Sequence, residues 1–134
     1  MIKISKMADY AVVILSHMHQ NKDTKFSAHC LADMSHIPEP TVSKILKLLS
    51  KSDLLTSSRG VNGGYALSRD IKDISVKDVL EAIEGPIHLT ECTEDSHDCV
   101  LEKICPSHGR WDDVNRTIKD ALQNIKLMSV MGKI

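Results

Sequence analysis

The sequence predicts a mainly α-helical fold carrying one short two-stranded wing, and three observations lead there. Aromatic residues make up only 3% of the 134 residues against 42% hydrophobic. The core must therefore be built from Leu, Ile, Val, Met and Ala, which favours helices over a β-sandwich. Apolar residues recur at three- and four-residue steps in several separate stretches, the mark of helices with one buried face. A single glycine-rich stretch, Arg59-Gly60-Val61-Asn62-Gly63-Gly64, interrupts them, and its Asn-Gly pair is the strongest short hairpin signal.

The first helix is expected over 5–20, with Met7, Ala11, Ile14, Leu15 and Met18 on its inner face. His17 and His19 near its end read as cations that suit the helix dipole. The polar run Asn21-Lys22-Asp23-Thr24-Lys25 reads as a loop. Ser27 is placed to cap a short helix over 28–34 with Leu31 inward. On that helix Cys30 reads as a small buried hydrophobe rather than a ligand. Ile37-Pro38-Glu39-Pro40 stops the second helix and sets Pro40 at the first position of a third, over 40–51.

At about 100° per residue, Val42, Ile45, Leu46 and Leu49 of the third helix share one arc, with Lys44, Lys47 and Lys51 opposite. Helix, short turn and second helix with a basic outer face is helix-turn-helix geometry, whose second helix enters the DNA major groove. A solvated amphipathic surface helix explains this segment equally well. The next residues decide between the two. Leu54-Leu55-Thr56-Ser57-Ser58 and Tyr65-Ala66-Leu67 flank the turn-rich tip as strands, which makes a winged helix-turn-helix. Arg59 then stands where a wing reaches phosphate or a narrow minor groove. The expected DNA-facing set is Pro40, Thr41, Ser43, Lys44, Lys47 and Lys51 of the helix with Arg59, Asn62 and Gly63 of the wing. Within it, Lys44 and Lys47 would meet phosphates, and Thr41 and Ser43 would approach base edges.

Ser75 is placed to cap a fourth helix, Val76–Glu84, which Gly85-Pro86 ends. Periodicity then lapses until a long final helix over 108–131, where Trp111, Val114, Ile118, Ala121, Ile125 and Met128 repeat like a heptad and Leu122 widens the stripe. Such a helix either packs on its own domain or pairs with a second copy. A homodimer through Trp111, Val114, Ile118, Leu122 and Ile125 is the economical expectation, since two-fold symmetry matches two DNA half-sites. The chain thus divides into a DNA-binding head at 1–84, a cysteine-rich loop at 85–107 and a dimerisation helix at 108–134.

Three of the four cysteines, Cys92, Cys99 and Cys105, fall in that loop, followed by His108. In a reducing compartment, closely spaced cysteines point to metal or redox chemistry rather than disulfides. Three thiolates and an imidazole suit iron–sulfur ligation or tetrahedral zinc, and spacing does not choose between them. His97 reads as solvent-exposed, with ligation the alternative. The loop is acidic at Glu91, Glu94, Asp95, Asp98 and Glu102, which suits a face turned away from phosphate.

Charge follows the same division. Residues 1–70 hold nine Lys and Arg against six Asp and Glu, and residues 71–134 hold eight against twelve. The longest apolar run, Ala11-Val12-Val13-Ile14-Leu15, is far short of the roughly 20 residues a bilayer needs. The N-terminal MIKISKMADY has no apolar secretory core, so a cytoplasmic protein without membrane partners is expected. No nucleophile–base pair, phosphate loop or C-x-x-C is visible. Neither an enzyme nor a small-molecule substrate is expected.

The head, the wing with its Gly63-Gly64-Tyr65-Ala66-Leu67 core, the three-cysteine loop and the long last helix resemble the Rrf2 family of bacterial transcription regulators, over essentially the whole chain. Pro40-Thr41-Val42-Ser43-Lys44-Ile45-Leu46, Glu84-Gly85-Pro86-Ile87 and Leu89-Thr90-Glu91-Cys92 look most like the proteobacterial regulators of SUF-type iron–sulfur assembly operons. The resemblance implies a homodimeric, DNA-binding repressor of such genes with one iron–sulfur cluster per subunit. A 2Fe–2S cluster is expected, with 4Fe–4S the alternative, and an apo form would lack it. By motif, Cys92, Cys99 and Cys105 match the thiolate ligands. The fourth ligand stays open between His108, as in IscR-like members, and Asp9, as in NsrR-like ones. The alternatives are an NsrR-like nitric oxide-responsive repressor and, outside the family, a zinc-stabilised interaction module.

Overall fold

The computed structural model of the chain describes residues 2–95 and 98–132. Its elements follow in the order α1 (Lys6–Gln20), α2 (Ala28–Ser35), α3 (Glu39–Lys51), β1 (Leu55–Ser58), β2 (Gly64–Leu67), α4 (Val76–Glu84) and α5 (Trp111–Asn124). Short 3-10 turns at Ile71–Asp73, Glu91–Thr93 and Leu127–Ser129 connect or follow them.

Local chemistry sets most helix ends. Ser5 Oγ accepts the Ala8 N–H to start α1, and Ser27 Oγ accepts the Cys30 N–H to start α2. α2 stops where His36 takes a left-handed conformation, φ 59°, and donates its N–H to the Ala32 carbonyl. α3 has no side-chain cap. Pro40 sits at its second position, one later than expected, where its missing N–H costs nothing because first-turn donors have no intrahelical partner. α4 opens with a reciprocal capping box between Ser75 and Asp78.

The core forms where these helices converge. Val42, Ile45, Leu46 and Leu49 of α3 are fully buried together with Ile14, Leu15 and Met18 of α1, Leu31 of α2 and Val79 of α4. Each such side chain contributes about 1.5–3 kcal/mol by leaving water. The helices converge on α3, α1 and α4 also pack directly on each other, and α3's other face is left exposed.

The wing is antiparallel, with Leu55 opposite Leu67 and Ser58 opposite Gly64. Five residues join the strands, and the turn runs from the Gly60 carbonyl to the Gly63 N–H at 3.0 Å. Val61 and Asn62 are its central residues, so Asn62-Gly63 does not form the two-residue hairpin its sequence suggests. A third segment completes the wing. Phe26 N–H donates to the Tyr65 carbonyl at 2.9 Å, and Tyr65 N–H returns to Phe26 at 2.7 Å.

The last helix is shorter than its apolar repeat predicts. α5 begins at Trp111 and ends at Asn124, and Ile125 is extended at φ −87°, ψ 116°. The chain then lies against the start of α4, with Val76 N–H on the Ile125 carbonyl and Leu127 N–H on the Ile74 carbonyl, both 2.9 Å. Leu127 is fully buried in the head core. Burial of that leucine and two backbone hydrogen bonds outweigh continuation of an apolar stripe into solvent.

Two further expectations change. Cys30 is exposed, not buried, with its Sγ 3.7 Å from Met34 Sδ one turn on, because Leu31 alone of α2 turns fully into the core. His17 is buried rather than a solvated terminal cation. Burial, and secondarily the neighbouring His36, holds its pKa below the ordinary 6.5.

Leu127→Ala is expected to cost about 2–5 kcal/mol, read as a lowered urea midpoint with the slope kept. Because His17 binds a proton less readily when folded than when unfolded, the unfolded chain takes up more protons as pH falls below 6.5, and stability declines there. His17→Gln should flatten the fall in melting temperature between about pH 7 and pH 5 relative to the parent.

Candidate DNA interface and cysteine loop

The outward side of α3 and the wing loop both expose basic side chains. Pro40, Lys44, Lys47 and Lys51 are exposed, and Thr41 and Ser43 are half-buried near the start of the same helix. This follows directly from the core: once Val42, Ile45, Leu46 and Leu49 point inward, the residues between them point out. Arg59 and Asn62 are exposed in the wing loop, with Gly63 half-buried beside them. Val61 at the tip is wholly exposed, an apolar side chain that the sequence pattern did not single out.

Two glycines fix the wing. A Cβ at Gly63 would overlap the Ser58 carbonyl oxygen and approach the Arg59 carbonyl carbon to 2.7 Å. At Gly64, φ is 143° and a Cβ would stand 2.8 Å from the Phe26 carbonyl oxygen. Bare backbone at Gly64 is therefore what lets the segment before α2 pair with β2. Lys25, next to that pairing, donates from Nζ to Ser58 Oγ at 3.1 Å and adds a cation at the turn end of the wing strands. Its sequence signal, a lysine in a polar loop, was too ordinary to find it.

At the corner between α2 and α3 one histidine meets two carboxylates. His29 Nδ1 lies 3.1 Å from Glu39 Oε2, and its Nε2 lies 3.4 Å from Asp33 Oδ2. The hydrogen bond to Glu39, with the charges of Asp33 and Glu39, raises the His29 pKa above 6.5.

The loop after α4 is a chain of turns. Cys92 lies in the Glu91–Thr93 turn, and its Sγ is 3.1 Å from Thr90 Oγ1. The Cys99 carbonyl accepts the Glu102 N–H at 3.1 Å, and Cys105 N–H donates to the Leu101 carbonyl at 2.8 Å. His108 is exposed, and its N–H donates to the Cys105 carbonyl at 3.2 Å. All three loop cysteines are free thiols and partly exposed. His97 lies outside the described residues.

Asp9 is elsewhere, exposed in the first turn of α1 at the rim of a cavity of about 390 Å³ whose walls include Ile4, Val12, Leu80 and Val130. Among the described residues, no three His, Cys, Asp or Glu side chains are gathered closely enough to hold a metal ion. The sequence-predicted ligands are thus placed on a turn-rich loop and on α1 without being brought together. As a donor set, three free thiols with a histidine three residues beyond the last of them still match the thiolate preference of iron–sulfur centres.

α5 lies on α4, with Asn115 buried and Ile118 and Leu122 half-buried. Trp111, Val114 and Ile125 remain exposed. The expected dimerisation stripe is therefore divided: part of it covers the head, and part of it faces solvent. Asn115 was not foreseen, since a lone Asn in an amphipathic pattern has no distinctive spacing.

Residues 4–133 match the Rrf2 family, described as an iron-dependent transcriptional regulator. The chain is similar to the HTH-type transcriptional regulator IscR of Vibrio vulnificus, 32% identical over 136 residues that cover 98% of this chain and 78% of that protein. Among solved structures it resembles T. potens IscR, with a TM-score of 0.64, 25% identity and coverage of 99% of this chain and 94% of that one. It shares its fold with CymR, the global cysteine regulator of B. subtilis, at a TM-score of 0.69, 24% identity and coverage of 97% and 96%.

Gly64→Ala is expected to destabilise the chain by about 1–3 kcal/mol through its strained backbone position. Proteolysis mapped by mass spectrometry should show cleavage within residues 59–67 before the helices are cut.

Proposed function

This chain belongs to the Rrf2 family of transcriptional regulators, and from that membership we propose that it represses SUF-type iron–sulfur assembly genes through a cluster held in its cysteine loop. It is a regulator with a DNA-binding head and not an enzyme. The observation that carries the proposal is the confinement of three free, partly exposed thiols to one loop between that head and α5.

On this reading Lys44, Lys47 and Lys51 neutralise phosphates, Thr41 and Ser43 with Pro40 meet base edges, and Arg59, Asn62 and Gly63 lay the wing along the backbone. Cys92, Cys99 and Cys105 supply thiolates, with His108 or Asp9 as the fourth ligand. A bound 2Fe–2S or 4Fe–4S cluster supplies a centre whose charge and ligation respond to iron, oxygen or nitric oxide. The exposed residues Trp111, Val114 and Ile125, with Ile118 and Leu122 beside them, present α5 to a second copy of the chain. Two heads then meet two half-sites. The cytoplasm, where such thiols stay reduced, is the compartment that suits this chemistry. No helix among the described residues is long and apolar enough to cross a membrane.

Anaerobic purification followed by an absorbance spectrum and analysis of iron, sulfide and zinc tests the cluster. A brown protein with matched iron and sulfide, both lost in Cys99→Ala, is the expected result. A colourless chain holding zinc would sink the cluster and leave the head untouched. For DNA, Lys44→Ala should weaken binding on unrelated duplexes alike and lower the slope of log K against log salt by about one. An unchanged slope would remove Lys44 from the interface.

A further inference from the structure

Two backbone groups of the loop end on one side chain of α5. Asn115, 6% exposed, accepts the Leu89 N–H on Oδ1 at 3.1 Å and donates from Nδ2 to the Ile87 carbonyl at 3.3 Å. The carboxamide pairs with the chain on both sides of His88 much as a neighbouring strand would. Asn is a poor helix former and seldom fully buried, so these two bonds account for its place.

From Leu89 the chain is secured as far as the first loop cysteine. Thr93 Oγ1 accepts the Thr90 N–H at 3.4 Å and donates to the Thr90 carbonyl at 2.7 Å. Thr90 Oγ1 in turn meets Cys92 Sγ at 3.1 Å. On α5, the residue before Asn115 is the exposed Val114. Elsewhere α5 meets this segment by packing: Ile118 and Leu122 line a cavity of about 340 Å³ with Ile87 and Leu89, and α5 also lies against the Glu91–Thr93 turn. Apolar contact of that kind is non-directional and tolerates sliding. The amide pair is directional, and displacement by about an ångström takes it out of hydrogen-bond range.

We propose that Asn115 is the positioning residue that couples Cys92 to α5. A change of bonding at Cys92 Sγ shifts residues 87–92, and the carboxamide either carries α5 with them or is left buried and unpaired. The inference rests on the loop being the regulatory element, and it adds which side chain passes the signal on.

The test uses the full chain with Cys30→Ser and reduced thiols, before and after blocking of the loop cysteines with N-ethylmaleimide. Hydrogen exchange is followed over 87–92 and 111–124. In the Asn115 chain, blocking is expected to change α5 exchange by about threefold or more. With Asn115→Leu, blocking should still alter 87–92 but leave α5 unchanged. Asn115→Asp keeps the acceptor and loses the donor, so it should give an intermediate response, and it decides the matter if the leucine variant does not fold. An equal α5 response with and without Asn115, or no α5 response in the parent, overturns the proposal. Failure of DNA binding or of cluster loading shows in the separate experiments above and leaves this exchange comparison intact.

Discussion

Burial of one face of α3 is the constraint on which the rest depends. Val42, Ile45, Leu46 and Leu49 are completely enclosed, and α1, α2 and α4 each contribute side chains to that enclosure. Because the helix has a fixed angular period, fixing those four residues fixes the direction of Lys44, Lys47 and Lys51. A basic surface on this chain of near-zero net charge is thus a by-product of core packing. The charge stays outside because lysine cannot be enclosed unpaired without large cost.

The wing is held to the head by backbone pairing and by side chains: Leu54 and Leu55 are buried in the core, and Tyr65 and Leu67 pack against it. Two strands of four residues have little stability in isolation. The exchange of hydrogen bonds between Phe26 and Tyr65 joins β2 to the segment that leads into α2, and Phe26 is itself buried in the core. α3 and the wing are in this way held by one packed unit. The absence of a side chain at Gly64 is a condition of that arrangement, since a Cβ there would meet the Phe26 backbone.

The cysteine loop has a different character. Turns and short-range hydrogen bonds organise it, and few of its apolar residues are enclosed: Val100, Leu101 and Ile104 are all exposed. Segments with few buried contacts open at low cost, which suits the regulatory role proposed for this loop. Asn115 ties its beginning to α5, and Leu127 ties the end of α5 back to the head. Loop, α5 and head are thereby linked to one another within one chain.

The sequence by itself determined the helices of the head, their caps at Ser27 and Ser75, the order of helix, helix and wing, and the basic face of α3. These follow from periodicity and local hydrogen bonding, which act over a few residues. It also showed the thiol-rich loop, because three cysteines within fourteen positions are legible without a structure. Only tertiary structure decided the matters that turn on distant partners. The apolar repeat after Asn124 looked helical, yet Leu127 found a place in the core and the chain left the helix to reach it. His17 looked like a terminal cation and Cys30 like a core residue, and packing around α1 and α2 reversed both. Asn115 and Phe26 carried no local signal at all, because each acts through backbone groups more than twenty residues away. Local pattern specifies which face of an element is apolar, and the competition among buried sites specifies what that face meets.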